Sequence, residues 1–174
     1  MSHTVSASFT NVCLISRMSY PGYPSGRYVL ITQPNVQYIC LGDVHIYSSP
    51  GDPDIAPNAS LTASSYYNDP SMGNINNLVD NTPTTLFATA GGSMNRFPAA
   101  NQWVQFDFHY NVPLYNIRIV NRPDGANYQA CGIVVSILDA NRNVIYTSNS
   151  FPSPTGYAYY NMYPPNASVL STNS

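Results

Sequence analysis

Residues 102–110 read QWVQFDFHY, and this stretch decides the fold class. A strand turns successive side chains to opposite faces, so Val104, Phe106 and Phe108 fall on one side and Trp103, Gln105 and Asp107 on the other. The first set is wholly apolar and is expected to face a core. Other short β-branched and aromatic runs surround it: RYVLIT (27–32), QYICLGDVHIY (37–47), ASLTASSYY (59–67), YNIRIVNR (115–122), CGIVVSILD (131–139), NVIYTS (143–148) and YAYYNMY (157–163). Fifteen prolines and ten glycines punctuate the 174 residues, and no long stretch holds a 3.6-residue apolar period. Eight strands in a chain of single-domain length predict an all-β sandwich.

Two connections have readable chemistry. DANRN, between Leu138 and Val144, offers Asp139, Asn141 and Asn143 for a hairpin turn. HYNVP, between Phe108 and Leu114, is expected to close another, with Pro113 barred from a ladder centre by its missing N–H. Three consecutive antiparallel strands over about 102–148 would follow. SSPGDPDIAPN (48–58), with three prolines, reads as a linker across one end of the sandwich.

Composition narrows the partners. Apolar residues make up 44% of the chain and charged residues only 8%, so Asn, Ser, Thr and Tyr must make the surface polar. Such a surface can be covered by a neighbour without stranding unpaired charge, and it also suits sugars. The formal net charge is −2 with six scattered basic residues, which excludes a nucleic-acid footprint. No apolar run reaches the roughly 20 residues of a membrane span, so no membrane insertion is expected, and MSHTVSASFTNVCLISR lacks the pattern of an export signal. Cys13, Cys40 and Cys131 form no CxxC pair and read as buried free thiols, with a Cys40–Cys131 bridge as the alternative in an oxidising compartment. His3, His45 and His109 are scattered, with no nucleophile or paired-acid motif beside them, so no enzyme is expected. His45 and His109 read as outward-facing strand residues.

From Leu78 to Ser148 the motifs NLVDNTPTTLFAT, WVQFDFHYNVPLYNIRIVNRPD and CGIVVSILDANRNVIYTS resemble the discoidin-like galactose-binding fold. The likeness is to the coagulation-factor C-type domains and especially the F-type, fucose-binding lectins. It implies a jelly-roll sandwich of about eight strands. SGRYVLITQPNVQYICLGDVHIYSSPG looks like the closing strands of the same module, yet stands first. The chain thus resembles either a circularly permuted module or the end of one copy joined to the next in a tandem array. The organisation expected is one domain over 1–174: closing strands in 1–50, a linker at 51–58, core strands in 59–164 and a flexible tail at 165–174.

The resemblance also implies two sites. In the lectins an arginine of the NR.D motif grips sugar with an earlier histidine and a later basic residue. Here Arg122 and Asp124 match, while Asn95 and Gln129 stand at the other two positions. One guanidinium makes a poor sugar site, so NRPDG reads first as a turn with an Arg122–Asp124 contact. A sugar-binding alternative would use Asp80, Arg122, Asp124 and Tyr128. The second site is structural calcium, for which Asn77, Asp80, Thr82, Thr89, Gly42 and Asp43 occupy matching positions. Asn81 and Thr82 replace the family's glycine and asparagine there. The simpler alternative is a loop held by Asp80 capping its own backbone.

In its Tyr-, Asn- and Pro-rich style and its VYSSPG-like linker, the chain also resembles modules in structural proteins of large DNA viruses. The expectation is a minor capsid protein of the virion, assembled in the host cytoplasm and bridging other capsid proteins, requiring no cofactor beyond structural calcium. The alternative is a module that attaches to host glycans.

Overall fold

The computed structural model describes residues 22–90, 99–153 and 159–165. It is an all-β sandwich of two antiparallel sheets. The strands are β1 (Ser25–Gln33), β2 (Cys40–Tyr47), β3 (Ser60–Ala63), β4 (Phe87–Ala88), β5 (Gln102–Pro113), β6 (Asn116–Asn121), β7 (Val134–Leu138), β8 (Val144–Thr147) and β9 (Tyr159–Met162). One sheet has the order β3-β5-β1-β7-β8 and the other β4-β2-β6-β9. A single turn of helix, α1 (Pro70–Gly73), begins at Asp69, whose carboxylate accepts from the Ser71 N–H.

The core lies where the sequence alternation places it. Val104, Phe106 and Phe108 are buried, and Val29, Ile31, Val135 and Ile137 join them from β1 and β7. Leu41, Val44, Ile46, Ile117, Ile119 and Met162 face them from the other sheet. Each such side chain contributes roughly 1.5–3 kcal/mol by leaving water. The β7–β8 hairpin forms, with Ser136 opposite Thr147 and Ile137 opposite Tyr146. Asp139 builds its turn by accepting from the N–H groups of Asn141 and Asn143 and from the Asn143 amide.

The second expected hairpin does not form. β5 pairs with β1 on one edge and β3 on the other, so no edge is left for β6. The chain instead crosses to the second sheet through Leu114 and Tyr115, with Leu114 fully buried and the Tyr115 N–H donating to the Tyr47 carbonyl. His109, in left-handed geometry at φ 67°, and the exposed Tyr110 and Asn111 lie in a register shift rather than a turn. Three consecutive strands of one sheet are therefore replaced by strands of both.

The 48–58 linker is bonded down to β2. Asp54 accepts from the N–H groups of Ile46 and Ala56, the Ile55 N–H donates to the Ile46 carbonyl, and Ala56 is in the core. Tyr23 and Tyr163 both pack edge-on against Tyr115, at 5.0 and 5.4 Å between ring centres. The first and last described segments thus meet at one side chain. Cys40 is buried and Cys131 exposed, both as free thiols, so the bridge between them is not formed and Cys131 is not the buried thiol expected. Cys13, His3, Asn95, Tyr157 and the tail beyond Pro165 lie outside the described residues.

Candidate functional site

The end of β6 carries the NRPDG stretch. Asn121 is fully buried and ties the strand end to the next turn, its amide donating to the Asn127 carbonyl while its oxygen accepts from the Arg122 N–H. Arg122 then donates through Nε and Nη2 to the two carboxylate oxygens of Asp124, both at 2.6 Å, and through Nη1 to Gln129 Oε1 at 2.7 Å. The bond from Arg122 holds the Asp124 carboxyl below its ordinary range despite some burial. For Arg122 itself, burial disfavours the charge, and the Asp124 bond more than offsets it.

Gln129 is held from behind. The amide of the fully buried Gln33, at the end of β1, donates to the carbonyls of Gln129 and Cys131. A cavity of about 230 Å³ opens beside this wall, lined by Tyr38, Cys40, Tyr67, Met72, Ala88, Arg122 and Gln129. Burial pushes the Cys40 thiol up to about 11, so it stays protonated at neutral pH. Of the predicted sugar set, Arg122 and Asp124 are brought together. Tyr128 is exposed and, like Asp80, is not part of the cavity lining. Gln129 at the second basic position therefore steadies Arg122 instead of adding a charge. Three of the five guanidinium N–H groups are already engaged.

The second constellation lies on β2. Asp43 is fully buried, and its Oδ1 accepts from the Val44 N–H while Oδ2 has no hydrogen-bond partner. Burial pushes this carboxyl up to about 6, against the pull of His45 and the Val44 N–H and with the added repulsion of Asp80 and Asp54. His45 is half-buried rather than outward-facing: Nδ1 lies 2.9 Å from Asp54 Oδ2 and Nε2 3.7 Å from Asp43 Oδ2. The Asp54 bond raises the imidazole against the opposing effect of burial. Burial disfavours the Asp54 charge, and bonds from His45, Ile46 and Ala56 outweigh it and hold that carboxyl low. The linker reading of 48–58 does not anticipate this partner; an aspartate between Pro53 and Pro57 is the signal present in the sequence.

Gly42 is packed so closely that a Cβ would lie 2.5 Å from the Pro83 carbonyl oxygen, which brings β2 against the 79–85 loop. In that loop Asp80 accepts from the Thr82 N–H and the Thr85 hydroxyl, and Asn81 takes a left-handed φ of 57°. Asn77 donates its amide to the Ser71 and Leu86 carbonyls, and the Thr82 hydroxyl donates to the Asp80 carbonyl. Thr89 is buried with its hydroxyl accepting from the Ile39 N–H. Among the described residues no group of three or more His, Cys, Asp or Glu side chains is placed to share an ion. A cation here would need amide and carbonyl oxygens beside the carboxylates. That is calcium chemistry, and the orphaned Asp43 oxygen fits it, whereas Thr89 accepts from Ile39 and both Asp80 oxygens accept within their own loop, as the capping alternative has it.

His109 is exposed, its Nε2 3.0 Å from the Ser60 hydroxyl, far in sequence from His45 and on the other sheet. No helix among the described residues is long and apolar enough to cross a membrane. Against known protein families, curated proteins and solved structures the chain has no match, so the discoidin-like resemblance stands on its quoted motifs alone.

Proposed function

We propose that the chain is a non-enzymatic, discoidin-like structural module, a minor capsid component of a large DNA virus that bridges neighbouring capsid proteins in the virion. One observation carries this reading: charged residues make up only 8% of the chain, while tyrosine is prominent among the large side chains exposed in the described residues. All six basic residues are arginine and all eight acids aspartate, with no lysine and no glutamate. Protein interfaces favour tyrosine and arginine and disfavour lysine, glutamate and aspartate, so the absence of lysine and glutamate counts towards an interface and the eight aspartates do not. Tyr66, Tyr110, Tyr128 and Tyr163 are exposed, and Arg27 and Arg122 are paired to Asp107 and Asp124. Tyr23, Tyr115 and Tyr163 form a row at the β6–β9 side, where a neighbour could add aromatic contacts.

A map of the assembled particle with subunits resolved tests this. The tyrosine row is expected under a neighbouring capsid protein. A chain lying free of all neighbours, or absent from purified particles, overturns the reading. Within it, Asp43 and Asp80 would hold a structural calcium ion between β2 and the 79–85 loop, with carbonyl oxygens filling the shell.

A second reading, attachment to host glycans, is favoured by the cavity beside Arg122. The engagement of Arg122 by Asp124 and Gln129 leaves few donors for a sugar and ranks it second. Saturable glycan-array binding that Arg122→Ala abolishes would reverse that order.

A further inference from the structure

The outer face of the five-stranded sheet carries a groove of about 580 Å³ lined by Leu30, Thr32, Thr62, Trp103, Gln105 and Arg142. Strand register builds it. Thr62, Gln105 and Leu30 stand in one row across β3, β5 and β1, and Trp103 and Thr32 pair in the next. The result is an aromatic ring and an aliphatic side chain edged by hydroxyl and amide groups. Its volume falls within the range of small-molecule sites, roughly 300–1,000 Å³.

Arg142 closes one end. It sits in left-handed geometry, φ 67°, at the end of the β7–β8 turn that Asp139 organises. A bulky residue in this region is uncommon, and glycine would be the undemanding choice. The geometry returns the side chain over the sheet, with its guanidinium 4.5 Å from the Tyr28 ring centre and Nη1 donating to Gln105 Oε1 at 3.0 Å. Arg27 lies over the same ring at 4.8 Å, but both its prongs are spent on Asp107. No carboxylate pairs with Arg142 among the described residues. One guanidinium is therefore neutralised and the other is held in place with most of its donors open.

We propose that this groove binds carboxylate-bearing saccharides, with the apolar face of the sugar ring on Trp103 and its carboxylate on Arg142. The guanidinium fork matches a carboxylate in geometry and charge. A pyranose ring offers a flat C–H face to an aromatic side chain and hydroxyls at its rim to Thr32, Thr62 and Gln105. An acidic peptide brings the carboxylate but not a stacking ring rimmed by hydroxyls. The groove lies on the opposite sheet from the β6 and β9 strands that flank the tyrosine row, and the inference does not depend on the capsid reading.

Trp103 is the only tryptophan in the sequence, so its fluorescence reports this groove alone. The intact chain is titrated with a glucuronate-containing tetrasaccharide and with 3′-sialyllactose, each beside its neutral counterpart, the carboxyl-reduced tetrasaccharide and lactose. A saturable emission change is expected with at least one acidic sugar, about tenfold tighter than with its neutral form, and which acid responds separates uronic from sialic sources. Arg142→Gln, at an exposed turn position, is expected to erase that preference with an unchanged unfolding midpoint. The neutral sugars test the same point without any substitution. No saturable change with either acid, equal binding of the neutral forms, or an acidic hexapeptide binding as tightly as the sugars overturns the proposal.

Discussion

Arg27 on β1 and Asp107 on β5 form a two-pronged ion pair, Nε to Oδ1 at 2.7 Å and Nη2 to Oδ2 at 2.9 Å, between the central strand of the five-stranded sheet and its neighbour. The Arg27 bond holds the Asp107 carboxyl at about 2, against a small opposing effect of burial. A carboxyl depressed in the folded state stabilises above its unfolded value, and the contribution disappears as pH falls through the folded one. Acid unfolding followed by circular dichroism is therefore expected to show stability lost between about pH 4 and 2. Asp107→Asn should lower stability at neutral pH and flatten that window; an unchanged slope counts against the pair.

Phe106 is fully buried between the sheets. Its replacement by alanine removes most of an aromatic side chain and leaves a cavity, at a cost of about 3–5 kcal/mol. Against a total stability on the order of 5–15 kcal/mol, urea unfolding should shift to much lower denaturant. A loss under about 1 kcal/mol would mean that this face does not form the core.

Gln33 satisfies two carbonyls in the segment that leads into the neighbouring strand β7. Gln33→Ala leaves the Gln129 and Cys131 carbonyls without that donor and should cost about 1–3 kcal/mol. The Arg122 wall loses its backing as well, so hydrogen exchange over residues 127–132 should quicken more than at β5.

Asp43 and His45 both have folded values above their ordinary ones. A raised carboxyl penalises the folded state once the unfolded chain ionises, and a raised imidazole stabilises only while protonated. Both signs agree. In the absence of divalent cations stability should fall as pH rises from about 4 through 6 and onward past the ordinary histidine value of about 6.5. On the calcium proposal the ion would partner Asp43 and should raise the thermal midpoint at pH 7, with a stabilisation of about 2.7 kcal/mol at a hundredfold excess over its dissociation constant. Chelation reverses it. Asp43→Asn should stabilise the metal-free protein at pH 7 by on the order of 1 kcal/mol and abolish the calcium response. A response that survives in Asp43→Asn places the ion elsewhere.

Gly42→Ala tests the contact behind that site. The added methyl meets backbone, the Pro83 carbonyl, rather than a side chain that could swing away. Loss of about 1–3 kcal/mol is expected, together with a weaker calcium shift. A neutral effect would show that the loop yields freely.

Local chemistry carried much of the fold. The inward set Val104, Phe106 and Phe108 follows from strand alternation, and the β7–β8 hairpin from the Asp and Asn groups of its turn, because both depend on residues adjacent in the chain. The Arg122–Asp124 contact is local for the same reason, since two positions separate its partners. The β5–β6 crossing was not legible, because it turns on β1 and β3 having taken both edges of β5, a competition between segments far apart.

What the amino-acid order determined by itself is therefore the all-β class, most of the strands though not β4 at Phe87–Ala88, the side of β5 that enters the core, and the turns at DANRN and NRPDG whose donors and acceptors lie within a few residues. Tertiary structure alone decided that Asp43 is left with a buried orphan oxygen, that Asp54 reaches His45, and that Arg142 returns over Tyr28 beside Trp103. The physical reason is one of range. Periodicity and turn chemistry act between neighbours in the chain, whereas desolvation and charge pairing depend on which distant segments are packed together.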